Sequence, residues 1–317
     1  TGKAADITIT VDGSSITAGS LVAVDNNATL SVNGLNMIGA QNTAGNGGAI
    51  AVNSGKLVLN DLTISGGNAL LGGAVYLAAG TSMTAGNVTF SSNSAGQGGV
   101  VYLESNASFK ATDSSFTGNS ATAGSGGALF LTSGSTFTGT GVTFAANTAS
   151  GDGGAISNAG TVTLNTTSAF TGNTAQGNGG AIANSGTVTV NATSTFTGNT
   201  AADGGAIYND GGTVALSQAT LDGNKALANG GAIYNNGGVM TIDRSVISHN
   251  NAVTNGTAVY TAGGRMDIIN STIAENGKNG SGTTAFTLAA DGAASLYLVD
   301  STIADNKTGL SLGSGAG

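Results

Sequence analysis

An asparagine returns along this chain every 25 to 28 residues, at Asn42, Asn68, Asn93, Asn119, Asn147, Asn173, Asn199, Asn224, Asn250 and Asn276. A paired-glycine phrase returns in step with it, as in Gly153-Gly154-Ala155-Ile156 and Gly179-Gly180-Ala181-Ile182. Two columns that share one period mean one small unit repeated in space, so the chain reads as a solenoid before any shorter motif is weighed.

The unit is made of strands. A helix-pair repeat needs long runs of period 3.6, whereas these units hold short alternating runs such as Thr161-Val162-Thr163-Leu164 and Thr187-Val188-Thr189-Val190. About 26 residues leave room for roughly three short strands and three turns, which is one turn of a parallel β-helix. The expected fold is therefore all-β, a right-handed parallel β-helix of about 11 or more coils of 25–28 residues, the hand following from the rule for parallel crossovers. Residues 1–317 read as a single domain: 1–36 an N-terminal cap or irregular first coils, 37–284 the regular repeats, 285–317 a degenerate C-terminal coil and tail.

The repeats act as internal replicates and separate inside from outside. The position after Gly-Gly-Ala stays aliphatic, as at Ile156, Ile182, Ile207 and Ile233. Three residues before the recurring asparagine stand Phe90, Phe116, Phe144, Phe170 and Phe196, then Leu221, Ile247 and Ile273, a second buried column. An asparagine beside it is expected at an internal turn, its amide bonded to the amides one coil above and below. With 55 Gly and no Pro, turns come from glycine and every residue keeps the amide hydrogen that pairing between coils requires.

Only 8% of residues are charged and the net charge is −8, which disfavours nucleic acid, heparin-like polymers and anionic lipid as partners. Cysteine is absent, so neither a disulfide framework nor a thiolate metal site is available. No apolar run approaches the roughly 18 residues of a membrane-spanning helix, and this segment is expected to be soluble without direct membrane insertion.

The phrases Gly153-Gly154-Ala155-Ile156 and Phe170-Thr171-Gly172-Asn173 resemble the GGA(I/L/V) and FxxN repeats of the polymorphic outer membrane proteins and related bacterial autotransporter adhesins, over roughly residues 42–306. Leu221, Ile247 and Ile273 depart from the phenylalanine while keeping its apolar character. The resemblance implies an extracellular passenger domain on a bacterial surface, working in adhesion or as a surface structure. Its partners would be a protein or glycan on a host or neighbouring cell.

Chemistry-bearing residues are thin. The two glutamates, Glu104 and Glu275, lie more than six coils apart, too far for a carboxylate pair. Asp243, Arg244, His249, Arg265 and Asp267 form the richest polar neighbourhood and read as a surface ion-pair cluster, with His249 on an exposed turn. Asp152, Asn178, Asp203 and Asn229 precede the paired glycines and read as solvated turn residues, since one carboxylate every second coil makes a poor calcium cage. The Thr-x-Thr rows at Thr136/Thr138, Thr161/Thr163 and Thr187/Thr189 follow from strand propensity. No catalytic residue, metal or cofactor is assigned.

One column faces outward by its variability: Tyr76, Tyr102, Phe130, then Ser157 and Ala183, then Tyr208, Tyr234 and Tyr260. Tyr208, Tyr234 and Tyr260 are the candidate contact residues for a partner or glycan, beside the plainer role of rings packing on one another. The reading is a non-catalytic extracellular adhesive or structural rod. A filament subunit stacking end to end through its terminal coils is the alternative, and a polysaccharide-acting enzyme using the Asp243–Asp267 region is the third.

Overall fold

Alternating apolar and polar residues, broken every few positions by a turn, produce strands too short to stand alone and long enough to pair sideways. In the computed structural model, which describes residues 9–12, 19–278, 288–290 and 293–312, one central turn comprises the strands Ile156–Asn158, Thr161–Leu164, Ala169–Thr171 and Thr174–Ala175. Each pairs in parallel with its equivalent on the next turn, as Ile156 with Ile182, Val162 with Val188, Phe170 with Phe196 and Thr174 with Thr200. Repetition of this step gives an all-β parallel solenoid of about ten turns, with no helix among the described residues. Val22–Val24 and Thr29–Asn33 stack on Ile50–Val52 and Lys56–Ser65 in the same way.

The core is a shaft. Ile156, Val162, Leu164 and Phe170 all point inward and are fully buried, while Thr161 and Thr171 beside them face solvent. The phenylalanine column stacks nearly face to face, with ring centroids 5.1, 4.5, 4.8 and 4.8 Å apart from Phe90 to Phe196. Leu221, Ile247 and Ile273 continue it, buried. At the last described turn Ile303, stacked on Ile273, is 41% exposed.

The paired glycines serve two different purposes. Gly153 adopts φ +67°, and a Cβ there would strike the Ile156 carbonyl. A Cβ on Gly154 would sit on the carbonyl oxygen of Gly180 in the next turn, so here the constraint is close approach of two backbones.

Hydrogen bonds between asparagines run unbroken from Asn93 through Asn119, Asn147, Asn173, Asn199, Asn224, Asn250 and Asn276 to Asn306. At Asn173 the Nδ2 group donates to Asn199 Oδ1 and to the Phe144 carbonyl, both at 3.0 Å. Its Oδ1 accepts from the backbone N–H and the side-chain amide of Asn147. All four side-chain valences are thereby used in a dry interior.

Asn42 and Asn68 do not belong to this ladder, contrary to the spacing. Ile64 is the partner of Phe90, so the ladder position three residues on is Gly67, whose N–H donates to Asn93 Oδ1 at 2.9 Å. Asn68 stands one residue later, in register with Ser94, and Asn42 pairs with Ala69. Asn42 caps a local turn, accepting from Gly19 N–H and donating to the Asn46 carbonyl.

A second buried asparagine row escaped the sequence reading. Asn158, Asn184, Asn209 and Asn235 follow the Gly-Gly-Ala-Ile phrase by two residues and are linked Nδ2 to Oδ1 at 2.7, 2.8 and 2.8 Å. The same row holds Leu77, Leu103 and Leu131 in earlier turns. Its signal was visible in the recurring Ile-x-Asn, which four units share.

Candidate functional site

On each strand after the paired glycines the aliphatic residue points inward, so its successor points outward. That successor is the aromatic column. Tyr102 lies 5.0 Å from Phe130 with planes 4° apart, and Tyr208, Tyr234 and Tyr260 follow one another at 5.2 and 5.0 Å, tilted by 32° and 42°. Tyr76, Tyr102, Tyr208, Tyr234 and Tyr260 are all partly covered, each ring shielding the next.

The rings sit in an acidic field. Burial, reinforced by Asp203, pushes the Tyr234 phenol up to about 12. Burial and then Asp210 raise Tyr208. Tyr76 donates to Glu104 Oε1 at 3.2 Å and is pushed up to about 12, by burial first and Glu104 second.

Between the two groups of rings the column breaks. Phe130 is followed one turn on by Ser157, Ser157 by Ala183, and Ala183 by Tyr208. Two side chains too small to fill their places leave a cavity of about 310 Å³, lined by Phe130 and Tyr208, by Ser157, Ala183 and Ser185, and by Asp152 and Asp210. The interruption was legible as variability; the space behind it was not.

The polar neighbourhood at Asp243 to Asp267 divides into two. Arg244 pairs with Asp243 at 2.8 Å and reaches Ser217, while Arg265 pairs with Asp267 at 2.8 Å and covers the Tyr297 ring at 4.9 Å. The register sets Asp267 beside Thr241 and Asp243 beside Ile269, so the two carboxylates are not neighbours.

His249 belongs to a different group, which spacing alone did not reveal. On a turn residue with φ +55°, its Nδ1 meets Asp222 Oδ1 at 2.7 Å on the turn below and its Nε2 meets Glu275 Oε2 at 3.1 Å on the turn above. The bond to Asp222 raises the imidazole pKa above its ordinary value. Burial alone would raise Asp222, but hydrogen bonds from His249 and Ser248 outweigh it and hold the carboxyl low.

Asp152 Oδ1 accepts the Asn178 N–H at 2.6 Å, and Asp203 Oδ1 accepts that of Asn229 at 2.8 Å, so these turn residues bind the backbone of the next turn. Among the described residues no group of three or more His, Asp or Glu is placed to hold a metal ion. In the threonine rows, Phe137, Val162 and Val188 point inward, with Thr136, Thr161 and Thr187 on the outer face.

No curated protein and no solved structure matches the chain. The Chlamydia polymorphic membrane protein (Chlamydia_PMP) repeat matches six times, at residues 87–104, 113–132, 141–159, 167–185, 193–210 and 218–236. Each match takes in a residue of the outer column, and four of them supply Phe130, Ser157, Ala183 and Tyr208 to the cavity. Over its central region this solenoid thus matches the Chlamydia polymorphic membrane protein repeat once in each turn.

Proposed function

We propose that the chain is the exposed passenger region of a bacterial surface protein and works by contact instead of catalysis, as an adhesive rod. The outer face of the strands that follow the paired glycines meets a protein or glycan on another cell. One observation carries this reading: an outward column of partly covered aromatic rings, Tyr208, Tyr234 and Tyr260, is held at the spacing of the turns by a rigid sheet. Aromatic side chains presented without much rotamer freedom are what contact surfaces favour. The array of repeats agrees with a surface passenger, and the charged residues pair locally with one another instead of converging on a cleft.

Cell binding by the purified chain, set against a variant with Tyr208, Tyr234 and Tyr260 all replaced by Ala, tests it. The variant is expected to keep its circular dichroism and lose binding at least about tenfold, as removal of two or three contact residues does. Undiminished binding would remove this face from the account. Protease shaving of intact producing cells tests the location, with release of the chain as the expected result.

A further inference from the structure

The break in the aromatic column is a site in its own right. Phe130 and Tyr208 occupy the same position three turns apart, so the rings stand roughly 14 Å apart along the rod, at about 4.8 Å per turn. From Tyr76 to Phe130 and from Tyr208 to Tyr260 the column is filled by rings about one turn apart, and between these two groups two places are vacant. The resulting 310 Å³ lies at the lower end of the range for small-ligand pockets, about 300–1,000 Å³. Its floor is stiff, because Asn158 and Asn184 beneath it are locked in the second asparagine row.

Its charge has one sign. Asp152 and Asp210 line the cavity and Asp203 acts on the same Tyr208, while none of its lining residues is a lysine, arginine or histidine. Asp152 and Asp210 each spend Oδ1 on a neighbouring turn, through Asn178 and Asn236, and among the described residues their Oδ2 atoms have no hydrogen-bond partner. A fitting occupant is flat enough to continue a stack of rings, positively charged, and rich in N–H donors.

We propose that this cavity receives the guanidinium group of an arginine side chain on a partner polypeptide, stacked in the vacancy between Phe130 and Tyr208 and hydrogen-bonded to Asp152 or Asp210. A guanidinium is planar, weakly hydrated, stacks on aromatic faces and presents a fork of donors to carboxylates. A lysine ammonium answers the charge without the stacking. A neutral sugar answers the stacking without the charge, and an acidic sugar is repelled. This assignment rests on the adhesive reading of the same face and narrows its partner to a basic protein segment.

The test uses the full chain and the probe acetyl-Gly-Arg-Gly-amide, with the citrulline and lysine analogues and N-acetylglucosamine as controls, followed through the Ala183 methyl resonance. The arginine peptide is expected to shift that resonance saturably, the lysine peptide to bind at least threefold more weakly, and citrulline and the sugar to leave it unmoved. Asp152→Asn with Asp210→Asn keeps both Oδ1 acceptors and should weaken the arginine peptide at least tenfold. Ala183→Phe, which restores a ring to the column and leaves every charge in place, should abolish binding. Equal binding of the citrulline peptide, a response to the sugar in place of arginine, or arginine binding that survives Ala183→Phe would each overturn the assignment. Peptide binding without cell binding would count against the adhesive reading alone, and cell binding by a chain that ignores the peptide would count against this site alone.

Discussion

Asn147 and Asn173 sit one above the other in the interior, the Nδ2 of the first donating to the Oδ1 of the second at 2.9 Å while both side chains are fully buried. The same Oδ1 takes the Asn147 backbone N–H at 3.0 Å, so one amide closes the turn below it and grips the turn above. Buried polar atoms stabilise only when all their bonds are made, and none of the buried side-chain nitrogen or oxygen atoms among the described residues is left without a partner.

Asn173→Ala strips partners from Asn147, Asn199 and the Phe144 carbonyl together. At about 1–3 kcal/mol for each buried group left unpaired, the loss should be at least about 2 kcal/mol. Asn173→Asp should cost more, since it removes both donors and brings a charge into a dry shaft. Asn68→Ala, off the ladder, should stay within about 0.5 kcal/mol. Urea unfolding of the three variants checks the order.

Phe144 lies 4.5 Å from Phe116 and 4.8 Å from Phe170, with Phe137 edge-on at 6.1 Å. Phe144→Ala should cost about 3–5 kcal/mol. Phe144→Leu should cost under about 1.5 kcal/mol, because Leu221 already fills the equivalent place in a later turn. The midpoint of denaturant unfolding distinguishes them.

The two kinds of glycine should respond differently to a methyl group. Gly172 has φ +62° and open space around its missing Cβ, so Gly172→Ala should cost only about 1–2 kcal/mol of backbone strain. Ala146 already holds the same place one turn earlier at φ +53°. Gly154→Ala forces two turns apart and should cost clearly more, read as a larger fall in melting temperature.

His249 should make stability depend on pH. Its raised folded pKa contributes stability that is fully present below the unfolded value near 6.5 and is lost as pH rises through the folded one. Asp222, held low, contributes above its ordinary 3.8 and loses its share as pH falls through the depressed folded value. Between those limits the pair is intact, so stability should peak in mildly acidic solution. His249 is 49% exposed, which keeps the effect small and salt-sensitive. His249→Gln should flatten the dependence of melting temperature on pH between 5 and 8.

Tyrosine ionisation should set the alkaline limit. Tyr76 and Tyr234 titrate near 12 in the folded chain, against 10.0 ordinarily, so the unfolded state gives up these protons first as pH rises. Stability should therefore fall from about pH 10 upward. A Tyr234→Phe variant, which has no proton to lose there, should fall less.

Much of this was legible because a solenoid writes its register into its sequence: side chains that share a column share a constraint, so the Phe90 to Phe196 column and the aliphatic position after each glycine pair mark the core without a structure. Asn68 shows the limit of counting. The interval of 26 residues from Asn42 looks regular, yet turns absorb insertions, and backbone pairing at Ile64 and Phe90 places Gly67 on the ladder instead.

By itself, then, the sequence determined the period, the strand character, the parallel stacking and the identity of most inward columns, since these depend on residue type at a repeated position. Only the tertiary structure decided which asparagines meet, that His249 stands between Asp222 and Glu275, and that Ser157 and Ala183 open a cavity between Phe130 and Tyr208. Those depend on side chains from three or four successive turns arriving at one point, and the distance between them is set by lateral backbone pairing, which no single repeat contains.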